Sequence, residues 1–152
     1  MAILRSEDQE WTSSLAMTCG ERRQMEGQDW REFKLTLTSG EQTISLGNDA
    51  SGDEKEGCLL CLSPDNEVAK LVKLLEELAA RTRDRVLFEP AEPSFELEIA
   101  RSGPDGIKVY IWIDSGNAKT GIYRWDAAGI RFFTLQEHLV SFLQELKDQF
   151  AC

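Results

Sequence analysis

Two cysteines three residues apart, Cys58 and Cys61, are the side chains whose spacing first suggests chemistry. A redox pair with this spacing needs a helix N-terminus, and a zinc pair needs a tight turn and further ligands. The segment reads instead as a strand, where residues three apart point to opposite faces. His138 is the only histidine available to complete a metal site. The sequence therefore predicts structural thiols in a reducing, cytoplasmic compartment, with no metal and no cofactor.

An acidic stretch that begins at Asp49 has the Asp-x-Ser-x-Asp spacing of a calcium-binding loop. The sixth position of such a loop should be glycine and the twelfth a bidentate glutamate. Here those positions hold Glu54 and Leu60. We therefore expect residues 47–57 to form a solvated hairpin loop.

Catalytic side chains are sparse in this sequence. His138 lies beside the apolar stripe of a predicted helix, and Ser141 follows one turn later, but local spacing places no orienting carboxylate next to them. The sequence also lacks a glycine-rich phosphate loop, a GxSxG nucleophile elbow and an HExxH helix. These observations predict that the protein is not an enzyme.

Large aromatic side chains are the strongest candidates for a binding site. The strand predicted at 107–114 has an entirely aliphatic inner face, which leaves two large aromatic residues on the other face. A second predicted strand at 121–125 would bring more aromatic residues beside Trp112 in a hairpin. Exposed Tyr and Trp flanked by Arg and Asp are typical of interface hot spots. The predicted partner-binding residues are Tyr110, Trp112, Asp114, Tyr123, Arg124 and Trp125.

An alternative stays open for these aromatic residues. Residues 1–30 are mainly polar and carry two tryptophans, Trp11 and Trp30, and this segment could lie over the aromatic strand face. In that arrangement one of these tryptophans would pack against Tyr110 and Trp112, and the face would belong to the core.

Hydrophobic periodicity predicts an α+β fold in which two helices pack on one antiparallel sheet. Ser63 before Pro64 predicts the start of the first helix, and Thr134 predicts the start of the second through a capping box with Glu137. The predicted strands lie at 33–39, 43–47, 57–62, 95–100, 107–114, 121–125 and 130–133, and the predicted helices at about 64–82 and 135–150.

The strand and helix patterns occur twice. The alternating apolar residues that begin at Phe33 recur in a second run that begins at Phe95. The apolar positions of the first helix also recur in the second, where Phe142 corresponds to Leu71. These correspondences predict two repeated units, each with three strands and one helix. The predicted organisation is a single domain, 1–152, with an N-terminal arm or edge strand at 1–30 and repeat units at about 33–82 and 95–150.

Charge restricts the class of partner. The chain has 27 acidic and 17 basic residues and a formal net charge of −10. We therefore expect it to bind neither nucleic acid nor an anionic membrane, because both need a basic surface. Apolar runs are too short to span a membrane, and acidic residues follow Arg5 where a secretory signal would be apolar. A cationic partner fits this charge better, and the alternative is that the acidity only keeps a small protein in solution.

The second half of the sequence carries a further pattern. Phe95-Glu-Leu-Glu-Ile is followed by Gly103-Pro-Asp-Gly-Ile-Lys-Val, a linker to Thr134, and a closing amphipathic helix from Leu139 to Phe150. This half resembles the WapI-type bacterial immunity proteins, and a weaker echo occurs at 33–81. The resemblance implies a cytoplasmic protein that neutralises a toxin by binding it.

Two other functions are compatible with the sequence. An acidic secretion chaperone would also be small and α+β, but it would be a dimer that binds an extended segment of an effector. A small-ligand-binding or enzymatic domain would need a concave pocket with converging polar groups.

Overall fold

Two antiparallel β-sheets and two α-helices make up the fold in a computed structural model, which describes residues 1–25, 27–46, 57–61, 66–91, 94–114 and 127–150. The predicted α+β class is confirmed. The predicted single sheet is wrong, because the strands separate into two sheets that share one buried core.

The first sheet is built mainly by the N-terminal third of the chain. Its strands are β1 (Ala2–Arg5), β2 (Ser13–Met25), β3 (Gln28–Ser39), β4 (Gln42–Leu46) and β5 (Gly57–Leu60). Residues 1–30 thus supply an edge strand, β1, and also the interior strand β2, which lies between β1 and β3. Leu15 and Met17 of β2 are fully buried.

Strands β4 and β5 follow one another along the same edge of β3. Leu46, at the end of β4, lies opposite Leu35, and Gly57, at the start of β5, lies opposite Phe33. The prediction of a hairpin loop at 47–57 is therefore wrong, because the strands on either side of it both pair with β3. Residues 47–56, which include the calcium-like stretch, lie outside the described part of the chain.

The second sheet is a meander in chain order. Its strands are β6 (Arg85–Phe88), β7 (Phe95–Ser102), β8 (Gly106–Asp114) and β9 (Ala127–Leu135). Gly103, with a φ of 77°, supplies the left-handed residue in the turn between β7 and β8. The aliphatic inner face predicted for β8 is confirmed. Its fully buried residues are Ile107, Val109, Ile111 and Ile113.

Helix α1 (Glu67–Ala79) and helix α2 (Gln136–Gln149) bury their apolar stripes in the core. Helix α1 starts three residues later than predicted, because the Asn66 side chain accepts a hydrogen bond from the Ala69 amide at 2.8 Å. Ser63 and Pro64 lie outside the described residues. No helix in the described part of the chain combines the length and apolar character needed to cross a membrane.

The capping box predicted for Thr134 and Glu137 is wrong. Strand β9 continues through Leu135, so Thr134 is an inward-facing strand residue and is fully buried. Its hydroxyl donates a hydrogen bond to the Arg5 carbonyl oxygen at the end of β1. The position that precedes α2 is Leu135, which has no side-chain cap.

Each helix contacts the first strand of the other sheet. Helix α2 packs along β1, where the Glu145 carboxylate accepts a hydrogen bond from the Ile3 amide at 2.8 Å. Helix α1 packs against β6 and against α2. Between the sheets, the Phe33 and Phe95 rings meet edge to face with centroids 5.3 Å apart. These contacts place one core between the two sheets and the helices.

The order of strands in the two sheets differs from the strand match that was predicted between the two repeat units. Strand β3 is third in its sheet, as β8 is in the other, whereas β7 is second. The predicted match of β3 with β7 therefore does not join strands in equivalent places, and the strand in the place of β3 is β8. The predicted match between the helices does connect buried positions, such as Leu71 with Phe142.

Candidate functional site on the outer face of the second sheet

The outer face of β8 and β9 carries large aromatic and basic side chains. Because strand residues alternate between faces, the buried aliphatic set of β8 leaves its other residues on the outside. In β9 the residues opposite them also face outward. We call this surface the aromatic face, and its members are Lys108, Tyr110, Trp112, Arg131 and Phe133.

The side chains of the aromatic face contact one another in two pairs. The Tyr110 and Trp112 rings, two residues apart on β8, stack with centroids 5.8 Å apart and an angle of 14° between their planes. The Lys108 ammonium lies 5.7 Å from the centre of the Phe133 ring on β9, within the range of a cation–π interaction. These contacts hold the aromatic rings in place before any partner arrives.

Cross-strand register pairs a basic residue with an aromatic one twice in succession. Lys108 lies opposite Phe133, and Tyr110 lies opposite Arg131. A shallow cleft of about 290 Å³ lies over these two pairs, and Val109 and Phe132 complete its lining. Its polar groups come from the basic side chains and Tyr110, and its apolar surface comes from the rings.

Trp112 lies opposite a glycine that has no room for a side chain. A Cβ atom on Gly129 would lie 2.1 Å from the Ile111 carbonyl oxygen and 2.9 Å from a carbon of the Trp112 indole. The indole therefore lies beside the space that a side chain at 129 would occupy, although Gly129 itself is exposed. This contact explains why Trp112 is partly buried although it lies on the outer face.

Charges on this sheet face are unevenly paired. On the β6 and β7 side, Arg85 Nε lies 2.9 Å from Glu98 Oε1. Arg131 is exposed on β9, and no carboxylate among the described residues forms an ion pair with it. The β8 and β9 side of the face therefore presents positive charge, in a chain whose net charge is −10.

The structure places the six predicted partner-binding residues differently. Tyr110 and Trp112 lie on the aromatic face and are partly exposed. Asp114 ends β8 but is only 8% exposed, so its side chain offers little surface to a partner. Tyr123, Arg124 and Trp125 lie outside the described residues.

The predicted cross-strand neighbour of Trp112 is wrong. The strand that pairs with β8 on this side is β9, and the residue directly opposite Trp112 is Gly129. On the other side, Glu96 of β7 lies opposite Trp112. Both neighbouring positions in the sheet are thus filled by residues other than those of the predicted strand at 121–125.

The alternative in which Trp11 covers the aromatic face is also wrong. The Trp11 ring lies against Gly40 in the first sheet, and its indole N–H donates a hydrogen bond to the Ser39 hydroxyl at 3.1 Å. The ring remains 60% exposed. Trp30 belongs to β3 of the same sheet.

Sequence reasoning missed the contribution of β9. Phe133 is 50% exposed, and Arg131 is exposed beside it. The sequence predicts a strand at 130–133, so the alternation of Ile130 and Phe132 already points Arg131 and Phe133 to the opposite face. That alternation was the available signal.

Residues considered for catalysis and metal binding occupy structural positions. His138 Nδ1 lies 3.1 Å from the Thr134 hydroxyl and 3.3 Å from the Arg5 carbonyl oxygen, where β1, β9 and α2 meet. Cys61 packs against the core at the end of β5. In the described segments, no three His, Cys, Asp or Glu side chains are grouped as metal ligands.

Comparison of the chain with protein-family models, curated proteins and solved structures gives no match.

Proposed function

We propose that this protein is a non-enzymatic protein-binding module and that the aromatic face contacts its partner. One observation carries the proposal, which is the concentration of Tyr110, Trp112 and Phe133 with two basic residues on one sheet face. Aromatic residues and arginine are enriched in protein interfaces and dominate their binding energies.

The competing explanation is that these rings only stabilise the sheet. Cross-strand aromatic pairs do contribute to sheet stability, and the Trp112 indole lies beside Gly129 on the neighbouring strand. This explanation does not account for Phe133, because half of its surface is exposed to solvent. An exposed apolar surface of this kind favours a partner-binding role.

The kind of partner follows from the resemblance of the second half to WapI-type immunity proteins. We propose that the partner is a toxin, which the protein neutralises by direct binding in the cytoplasm. A net charge of −10 would accelerate association with a basic toxin through electrostatic steering. The steering hypothesis predicts slower association at high salt, and an association rate that is the same at low and high salt would contradict it.

The test of the binding function compares two tryptophans that differ in position. Wild type, Trp112→Ala and Trp11→Ala are used to capture partners from lysate of the source organism, after circular dichroism has shown that each variant is folded. We expect wild type and Trp11→Ala to retain the same protein and Trp112→Ala to lose it, because Trp11 lies on the first sheet.

Two results would contradict the proposal. One is equal capture by wild type and folded Trp112→Ala, which would remove the aromatic face from the interface. The other is the absence of any protein retained specifically by wild type. A captured partner is then purified and tested for toxicity with and without this protein, which examines the immunity function directly.

A further inference from the structure

We infer that the cleft between β8 and β9 binds a carboxylate-bearing segment of the partner protein, an inference that rests on the proposed binding function. The occupant is a short acidic peptide segment in which a Glu or Asp side chain lies beside an apolar one.

The two basic residues converge on one small volume. Lys108 and Arg131 are diagonal neighbours on adjacent strands, since Lys108 lies opposite Phe133 and Arg131 lies opposite Tyr110. Both side chains line the cleft of about 290 Å³. Two like charges in diagonal positions repel each other, and an anion bound between them would remove that repulsion.

Other basic residues in the described part of the chain illustrate the contrast. Arg81, Arg83 and Arg85 each form an ion pair with a carboxylate at 2.7–2.9 Å. Lys108 instead lies over the Phe133 ring, and Arg131 has no ion-pair partner among the described residues. In a chain with 27 acidic residues, this pair of basic side chains is left available for an external carboxylate.

The chemistry of the lining favours a carboxylate next to an apolar group. A guanidinium can hold a carboxylate through two parallel hydrogen bonds, and Lys108 can add a third. The Tyr110 and Phe133 rings supply apolar contact on either side. The cleft volume of about 290 Å³ lies at the lower end of the range of ligand-pocket volumes. A cleft of this size can accommodate one or two side chains of a peptide.

The charge of the protein favours a single carboxylate over a polyanion as the occupant of the cleft. Nucleic acid binding depends on many Lys and Arg contacts to successive phosphates. Here two basic residues are available, and the chain as a whole has a net charge of −10. Overall charge governs the approach of a basic partner over long distances, whereas the contact in the cleft depends on local charge. A basic toxin that presents one acidic segment satisfies both conditions.

The test uses a defined peptide rather than an unknown partner. Acetyl-Phe-Glu-Phe-amide and its Gln analogue are titrated into isotopically labelled protein, and backbone amide shifts are followed by NMR. We expect the Glu peptide to bind with a Kd of about 1 mM, as befits a few contacts. The perturbed amides should lie at 108–110 and 131–133. The Gln peptide should bind about tenfold more weakly, because it lacks the charge.

Variants at position 131 identify the group that holds the carboxylate. Arg131→Gln should weaken binding of the Glu peptide about tenfold, and Arg131→Lys should restore part of the loss because it keeps the charge but not the bidentate geometry. Arg83→Gln is the matched control, since Arg83 is exposed and pairs with Glu77 away from this cleft. It should leave peptide binding unchanged.

Three results would overturn the inference. The Glu and Gln peptides could bind equally, Arg131→Gln could bind the Glu peptide as wild type does, or an eight-nucleotide oligothymidylate could bind more tightly than the peptide through Arg131. The last result would identify the cleft as a nucleic-acid site.

The failure of this inference is distinguishable from the failure of the proposed function. A partner protein that is lost from Trp112→Ala but fully retained by Arg131→Gln would overturn the carboxylate site and leave the protein-binding function standing. Charge-dependent peptide binding without a captured partner would support the carboxylate site and contradict the proposed function.

Discussion

The outer faces of β3 and β8 differ in chemistry although the two strands occupy the same place in their sheets. Residues 34–38 of β3 read Lys-Leu-Thr-Leu-Thr, and residues 108–112 of β8 read Lys-Val-Tyr-Ile-Trp. The inner residues of both segments are aliphatic and buried. The outward-facing residues of these segments are a lysine and two threonines in β3, and a lysine, Tyr110 and Trp112 in β8.

The neighbouring strands extend this difference. Thr36 lies opposite Ser45 of β4, with their hydroxyl oxygens 3.3 Å apart, whereas Tyr110 lies opposite Arg131 of β9. Small hydroxyl side chains complete the outer face along residues 36–38 of β3, while Trp30 lies on the same face near the start of the strand. On β8 two large rings, Tyr110 and Trp112, stack side by side, and this concentration is the physical basis of the proposed interface.

The largest effect should come from making the second face resemble the first. We expect the double substitution Tyr110→Thr with Trp112→Thr to weaken partner binding about a thousandfold, because two central aromatic contacts are lost together. Binding is measured by calorimetry with the captured partner. Thr36→Ala with Thr38→Ala on the first sheet is the control, and a comparable loss there would show that the two faces do not differ in function.

The second largest effect is expected from placing a side chain at Gly129, opposite Trp112. Gly129→Val should lower the free energy of unfolding by about 3 kcal/mol, because any Cβ atom there collides with the Ile111 carbonyl oxygen. Thr43 lies opposite Thr38 as Gly129 lies opposite Trp112, so Thr43→Val is the matched change on the first sheet. We expect it to alter stability by less than about 0.5 kcal/mol. Urea denaturation of both variants measures the difference, and equal stabilities would contradict the assigned role of Gly129.

A lysine on the outer face of each strand, Lys34 on β3 and Lys108 on β8, provides a finer comparison. Lys108→Gln should weaken partner binding about fivefold, because the ammonium lies at the edge of the proposed interface and is partly exposed. Lys34→Gln should leave binding unchanged. Surface plasmon resonance with both variants would measure these affinities, and equal losses would mean that lysine charge acts only at long range.

The smallest effect is expected within the hydroxyl-bearing face itself. Thr36→Val removes one partner of the contact with Ser45 but keeps the branched shape that suits a strand. We expect a change in the free energy of unfolding of less than about 0.5 kcal/mol and no change in partner binding. A loss of several kcal/mol in urea denaturation would show that hydroxyl contacts hold the first sheet together.

Sequence periodicity predicted those elements whose apolar pattern is long and regular. The inner face of β8 and the apolar stripes of both helices were predicted because each repeats over several turns or alternations. Strand β6 was missed, since it has four residues and Val86 and Phe88 are its only inward-facing ones. The division into two sheets was also missed, because local periodicity defines the face of a strand and not the strand with which it pairs.

The candidate site was predicted in part for the same reason. The outward position of Tyr110 and Trp112 followed from the aliphatic inner face of β8. Phe133 was missed because the strand predicted at 130–133 was short and neither of its faces was considered for binding, whereas β9 extends over nine residues. The capping box failed because Thr134 donates its hydrogen bond to the Arg5 carbonyl oxygen. A contact between residues so distant in sequence leaves no local signal.

The interrupted strand at the edge of the first sheet has a practical consequence for protein engineering. From Leu46 to Gly57 the chain advances by eleven residues, while the paired positions on β3 move only from Leu35 to Phe33. Register on both sides is thus set by pairing with β3, and the entropy of closing a connection rises slowly with its length. An epitope tag or a fluorescent reporter inserted between these two strands should therefore leave the pairing of β4 and β5 with β3 unchanged.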